Sequence, residues 1–191
     1  MIAKLQLDYV CGLRSDRAIK EALAKLPSGV YETYDEILQQ LCSKNPDDME
    51  DMKRILQWLT CSLEPLTLEQ LAEVVSIRPE DPRLDASGIA TDPMDLAAYC
   101  GSLVTVHIQK GLDGRYGGDL RGPEITLITL AHASVEEYLK SGKIGQGLSS
   151  LFHVDEKIVH RQLAKTCLQY VGFEDFETPI EQPVSLQTRY C

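Results

Sequence analysis

Apolar residues recur every three to four positions over most of the chain, the period of a helix with one buried face. Ile2, Leu5 and Tyr9 begin the pattern with no capping residue before them, so the first nine residues read as a helix entered part-way. From Ser15 to Leu26, one face carries Ala18, Ile19, Ala22, Leu23 and Leu26, and Pro27-Ser28-Gly29 ends that helix. The next helix is predicted from about Val30 to Cys42, on Tyr34, Ile37, Leu38 and Leu41. Asn45-Pro46-Asp47-Asp48 is a turn. Met52, Ile55, Leu56 and Leu59 predict a helix over 49–62, broken by Glu64-Pro65. Thr67, with Gln70 three residues on, has the form of a capping box for a short helix over 67–76. Its buried stripe is Leu68, Leu71, Ala72 and Val75. A polar stretch from Arg78 to Asp92 follows, and Asp92-Pro93 then predicts the start of a helix over 93–101.

Two segments leave the helical period. Residues 103–108 alternate and are rich in β-branched side chains, which predicts a strand. Residues 124–130 read as the returning strand. Between them, Gly111, Gly114, Gly117, Gly118 and Gly122 raise the question of a phosphate-cradling loop. Such a loop needs a Lys-Ser/Thr pair and a following helix. Here Lys110 precedes the glycines, Pro123 follows Gly122, and the next segment is a strand, so a long hairpin loop is the better reading. Three helices ahead of a two-stranded hairpin give the expected fold class: mainly α with a small β-hairpin wing, a winged helix-turn-helix domain flanked by helical segments.

Beyond the wing, Ser134 and Glu137 have the spacing of a second capping box. His132 then stands two residues before a helix start, where free N–H groups and the positive helix end favour an anion. A last helix is expected over 154–171 on Val159, Leu163, Ala164, Cys167, Leu168 and Val171. After Gly172 the periodicity fades into a linker or tail.

Charge narrows the function. Nineteen Lys and Arg against 29 Asp and Glu leave a net charge of −10. The predicted third helix, Asp92–Gly101, carries Asp92 and Asp95 and no Lys or Arg, so it cannot make the usual guanine or phosphate contacts of a DNA reader. Arg115 and Arg121 in the wing are too few to change that. A standalone nucleic-acid-binding winged helix is therefore the weaker alternative. No apolar run approaches a membrane span, and Lys4 and Asp8 interrupt any signal-peptide layout, which points to a cytoplasmic protein. Of the six cysteines, Cys42, Cys61, Cys100 and Cys167 fall in apolar helical stripes and are expected to be buried and reduced.

Catalytic chemistry is poorly served. The acidic pairs Asp47/Asp48, Glu50/Asp51 and Glu136/Glu137 are adjacent residues, which do not face one another on a helix. Ser134 with His132 lacks a nucleophile elbow. His107, His153 and His160 have no metal-ligand spacing. Tyr31, Tyr34, Trp58, Tyr99 and Tyr138 are expected to pack core and helix seams.

Five stretches, taken in order, resemble a known family. They are Leu26-Pro27 with Tyr31-Glu32-Thr33-Tyr34-Asp35-Glu36-Ile37-Leu38, then Ile55-Leu56-Gln57-Trp58-Leu59, then residues 65–73 (PLTLEQLAE), Cys100-Gly101-Ser102-Leu103-Val104, and residues 131–139 (AHASVEEYL). Over roughly residues 1–172 the chain resembles the segment that follows the nucleotide-binding core of fungal NACHT-type signalling NTPases. These are NOD-like, STAND-class proteins often linked to ankyrin or other repeats. The resemblance implies a layout: 1–44 as the end of a NACHT-associated helical domain, 49–140 as the winged helix, 154–172 as the start of a helical connector, and 173–191 as linker or tail. It also implies signal transduction in innate immunity or heterokaryon incompatibility. The implied partners are a NACHT core, in cis or in trans, and a downstream repeat domain. His132 lies where the family places the winged-helix histidine that contacts the ADP phosphate in the closed state. ADP or ATP with magnesium would belong to that wider architecture. This chain has no Walker A or Walker B sequence and is expected to bind no cofactor alone and to be no enzyme. Glu136 stands where the family often has a basic residue.

Overall fold

The computed structural model describes residues 29–44, 48–79, 81–110, 124–144 and 147–174, with Cys11, 15–17 and 19–20. The expected helix over 1–9, most of the one over 15–26, the glycine loop over 111–123 and the tail after 174 lie outside the described residues. The chain is mainly helical with one small antiparallel sheet. Six α-helices are described: α1 (Val30–Lys44), α2 (Met49–Cys61), α3 (Leu68–Ser76), α4 (Met94–Cys100), α5 (Ala133–Lys140) and α6 (Glu156–Val171). Three strands accompany them: β1 (Leu66–Thr67), β2 (Val104–Lys110) and β3 (Glu124–Leu130). Short 3-10 turns cover Ala86–Gly88, Gly101–Leu103 and Gly147–Phe152.

The sheet order is β1-β3-β2, all antiparallel. β2 and β3 pair from Val104 opposite Leu130 to Lys110 opposite Glu124. β1 is one more strand than the expected hairpin: Leu66 and Thr67 pair with Ile128 and Leu127. Two residues are too few to show any alternation, so only pairing across some 60 residues reveals them. Thr67 serves two elements because its extended backbone (φ −75°, ψ 159°) suits both a strand end and an N-cap. Its hydroxyl accepts from Gln70 N at 3.1 Å, and Gln70 Oε1 accepts from Thr67 N at 3.0 Å, the capping box read from the sequence. Thr67→Ala is expected to cost about 1 kcal/mol. Urea unfolding checks this; an unmoved midpoint would mean that the strand pairing alone sets the start of α3.

One buried cluster runs from α1 to α6 and joins the six described helices to the sheet. Its centre is Leu38, Ile55, Leu71, Leu103, Ile128 and Leu139, all essentially inaccessible to solvent. Cys42, Cys61 and Cys100 are buried there as expected, and burial pushes all three thiols up, which keeps them protonated and unreactive. Between α4 and β2 the chain turns at Gly101 with φ +51°, and a Cβ there would stand 3.3 Å from Leu41 Cδ2. Both the backbone and the space therefore call for glycine. α4 begins at Met94 with Pro93 in the N-cap place, one residue later than expected, and Asp92 Oδ1 accepts from Met94 N at 2.9 Å.

Two expectations fail. Ser134 is not the N-cap of α5; His132 is. The Ser134 hydroxyl is drawn away by a partner from α1, which a capping-box pattern cannot foresee. On α6, Val159 is buried and Leu163 half-buried, but Ala164, Cys167, Leu168 and Val171 face solvent, with Leu168 74% exposed. The predicted stripe runs round about half of the helix, and the body covers only the edge that carries Val159 and Leu163. Cys167 is thus an exposed thiol, not a core residue.

Candidate functional site

His132 follows β3 and ends the extended chain (φ −164°, ψ 152°) before α5 begins. Its Nδ1 accepts from the backbone N–H of Ser134 at 3.0 Å. That bond requires an unprotonated Nδ1, so the neutral ring carries its hydrogen on Nε2. Nδ1 also lies 3.0 Å from Ser134 Oγ, which in turn lies 2.8 Å from Tyr34 Oη on α1. With Nδ1 as acceptor, the consistent direction is Tyr34 donating to Ser134 and Ser134 donating to His132. Burial pushes the Tyr34 phenol up, opposed by its bond to Ser134, so the donor keeps its proton. The imidazole is exposed, and among the described residues Nε2 has no partner.

A second bond runs parallel to the first. Tyr138 on α5 donates from Oη to Asp35 Oδ1 on α1 at 2.5 Å. The Tyr138 ring also lies 5.3 Å from the centroids of both Tyr31 and Tyr34. The two stretches around Tyr34 and Ser134, 100 residues apart in the chain, are thus partners. Alternating bonds, Tyr34 to Ser134 and Asp35 to Tyr138, seam α1 to α5. Sequence reasoning named these residues but assigned Tyr34 and Tyr138 to packing and Ser134 to capping. The signal was that both stretches combine a hydroxyl and a phenol with neighbouring acids, which can pair with one another across the chain.

Glu136 does not lack a counter-charge. Lys140, one turn on, reaches it at 2.7 Å and reaches Glu156 of α6 at the same distance. Its two bonded carboxylates push the Lys140 ammonium up. This bridge fixes α5 against the start of α6.

The arrangement can offer one N–H donor, His132 Nε2–H, beside a helix start. It has the distances of a Ser–His pair but not the roles. Nδ1 is shared with the N–H of Ser134 itself, and among the described residues nothing orients the ring from Nε2. His107, His153 and His160 are all exposed and stand apart from it. No group of three His, Cys, Asp or Glu fit to hold a metal occurs among the described residues. Nor is any described helix long and apolar enough to cross a membrane.

No family model matches the chain, and no solved structure does. The chain is similar to the azaphilone pigments biosynthesis cluster protein L of Monascus ruber, with 30% identity over 159 residues. The match takes in 83% of this chain and 31% of the relative, so the chain spans about a third of the length of the curated relative it matches. That finding corrects the expected biological setting: the relative is named for a pigment biosynthesis cluster, not for innate immunity, heterokaryon incompatibility or a NACHT or NOD-like receptor.

Proposed function

We propose that the chain is a non-catalytic regulatory and interaction module, built on a winged helix, that closes over a nucleotide-phosphate site supplied by an NTPase core in cis or in trans. The order α2, β1, α3, α4, β2, β3, with β1 against β3, supports the winged helix. The observation that carries the function is His132: its Nδ1 is committed to the cap, which leaves Nε2–H as a fixed, solvent-facing donor at a helix start. A phosphate oxygen is the ligand that such a donor suits. Closure would then depend on the phosphate, and releasing it would free the module, a shift of population rather than a reaction. Nucleic-acid binding is the weaker reading, because α4 (Met94–Cys100) carries no basic residue and does carry Asp95.

Calorimetry with ADP and with ATP–magnesium tests this. The chain alone is expected to give no heat. Joined to the nucleotide-binding core that the proposal requires, it is expected to raise ADP affinity, and His132→Ala to lower that affinity about tenfold, as for one charge-assisted bond. His132→Asn, which can still cap α5, separates the roles. If Asn restores ADP affinity, His132 serves only to start the helix, and the phosphate reading fails.

A further inference from the structure

A cleft of about 520 Å³ lies between α2, α6 and the segment Ile77–Pro79, and no residue of the His132 network lines it. Its volume falls in the range of small-molecule sites. Its charge runs against the chain's. Four basic side chains line it (Lys53, Arg54, Arg78, Lys165) with one acidic residue, Glu50, in a protein of net charge −10. Two of the four are already used. Arg54 Nη2 donates to the carbonyls of Val74 and Ile77 at 3.1 and 2.6 Å, and Arg78 pairs with Asp51 at 3.2 Å and donates to Val75 O. Asp81, nearby, accepts from Arg78 N. Lys53 and Lys165, one from each wall, have no partner among the described residues. Trp58 and Leu163 supply apolar surface between them. The local field is felt inside the fold as well: burial and then the Arg78 charge lower the Arg54 guanidinium, against the carboxylates of Asp51, Glu50 and Asp81.

From this geometry we infer that the α2–α6 cleft binds a small organic anion, its phosphate or carboxylate held by Lys53 and Lys165 and its apolar body lying on Trp58 and Leu163. Two lysines from opposite walls favour a compact headgroup that both can reach. The apolar floor favours a ligand with a ring or short chain over a bare ion. Such a ligand would also bridge α2 to α6 and hold α6 in place.

Trp58 is the sole tryptophan, so its fluorescence reports on the cleft directly. Phenyl phosphate, phenylacetate, inorganic phosphate and benzyl alcohol are the probes, titrated into the whole chain. Phenyl phosphate or phenylacetate is expected to change the emission with saturation, and the tighter of the two identifies the headgroup. Benzyl alcohol is expected to do nothing, and inorganic phosphate to bind at least tenfold more weakly than phenyl phosphate. The double variant Lys53→Gln, Lys165→Gln is expected to weaken binding at least tenfold while its thermal unfolding stays unchanged, because neither lysine has a partner among the described residues. Absence of a saturable change with either aromatic anion overturns the inference. So does equal affinity in the double variant.

Discussion

Tyr138→Ala is expected to destabilise the protein by about 4 kcal/mol, in line with large aromatic deletions from cores. Tyr138 is fully buried and stands at the junction of α1 and α5, between the rings of Tyr31 and Tyr34. Alanine would leave a cavity that neither helix can close without breaking the Tyr34–Ser134 bond beside it. A loss of that size is a large share of the 5–15 kcal/mol typical of a domain. Tyr138→Phe separates ring from hydroxyl. It keeps both ring contacts and removes the hydroxyl that donates to Asp35, for an expected cost of about 1–2 kcal/mol. Urea midpoints of the two variants at a common slope are the measurement. If Phe costs as much as Ala, the seam is held by the hydrogen bond and not by the tilted ring contacts.

Arg54→Met should cost about 2–3 kcal/mol. α3 ends without a basic residue in its own last turn, and its final carbonyls need donors from elsewhere. Arg54, reaching across from α2, supplies them to Val74 and Ile77. Methionine fills much of the same space but leaves the Ile77 carbonyl without that donor. Arg54→Lys is expected to recover less than half of the loss, because a point charge on a flexible stem cannot serve two carbonyls in a fixed fork. Guanidinium chloride would mask the electrostatics, so urea is the denaturant to use. Equal stability of the Lys variant and the native chain would show that charge at the α3 terminus, not the paired bonds, matters.

Much of the helical frame was legible because its buried faces are single and periodic. α1, α2 and α3 fall within a few residues of their expected spans, and the Thr67–Gln70 box is as read. What the sequence hid depends on distance or on competition. β1 is two residues long and exists through its partner. The Ser134 hydroxyl had two possible uses, and Tyr34, 100 residues away, settled which it took. On α6 the apolar residues outnumber those the body can cover, so pattern alone could not tell the packed face from the free one. The candidate site divides in the same way. His132 stood out from its sequence neighbourhood, but its role as the cap and the hydroxyl relay behind it required α1 to be in place. The α2–α6 cleft left no sequence signature, since its charges come from three separate segments.

The α1–α5 seam carries a kinetic consequence. Its two bonds join residues 100 and 103 positions apart, so both close long loops of the described fold. Closing such a loop costs chain entropy that no local contact offsets, and the cost falls on whichever step brings α1 onto α5. α2, α3, α4 and the sheet have nearer partners and can assemble without it. The α1–α5 seam is therefore expected to close late, as is the packing of α6 on α2 across a similar separation. Transient detachment would uncover the Tyr138 ring and unpin the start of α5 together, so the orientation of His132 is coupled to a contact made across a hundred residues of chain.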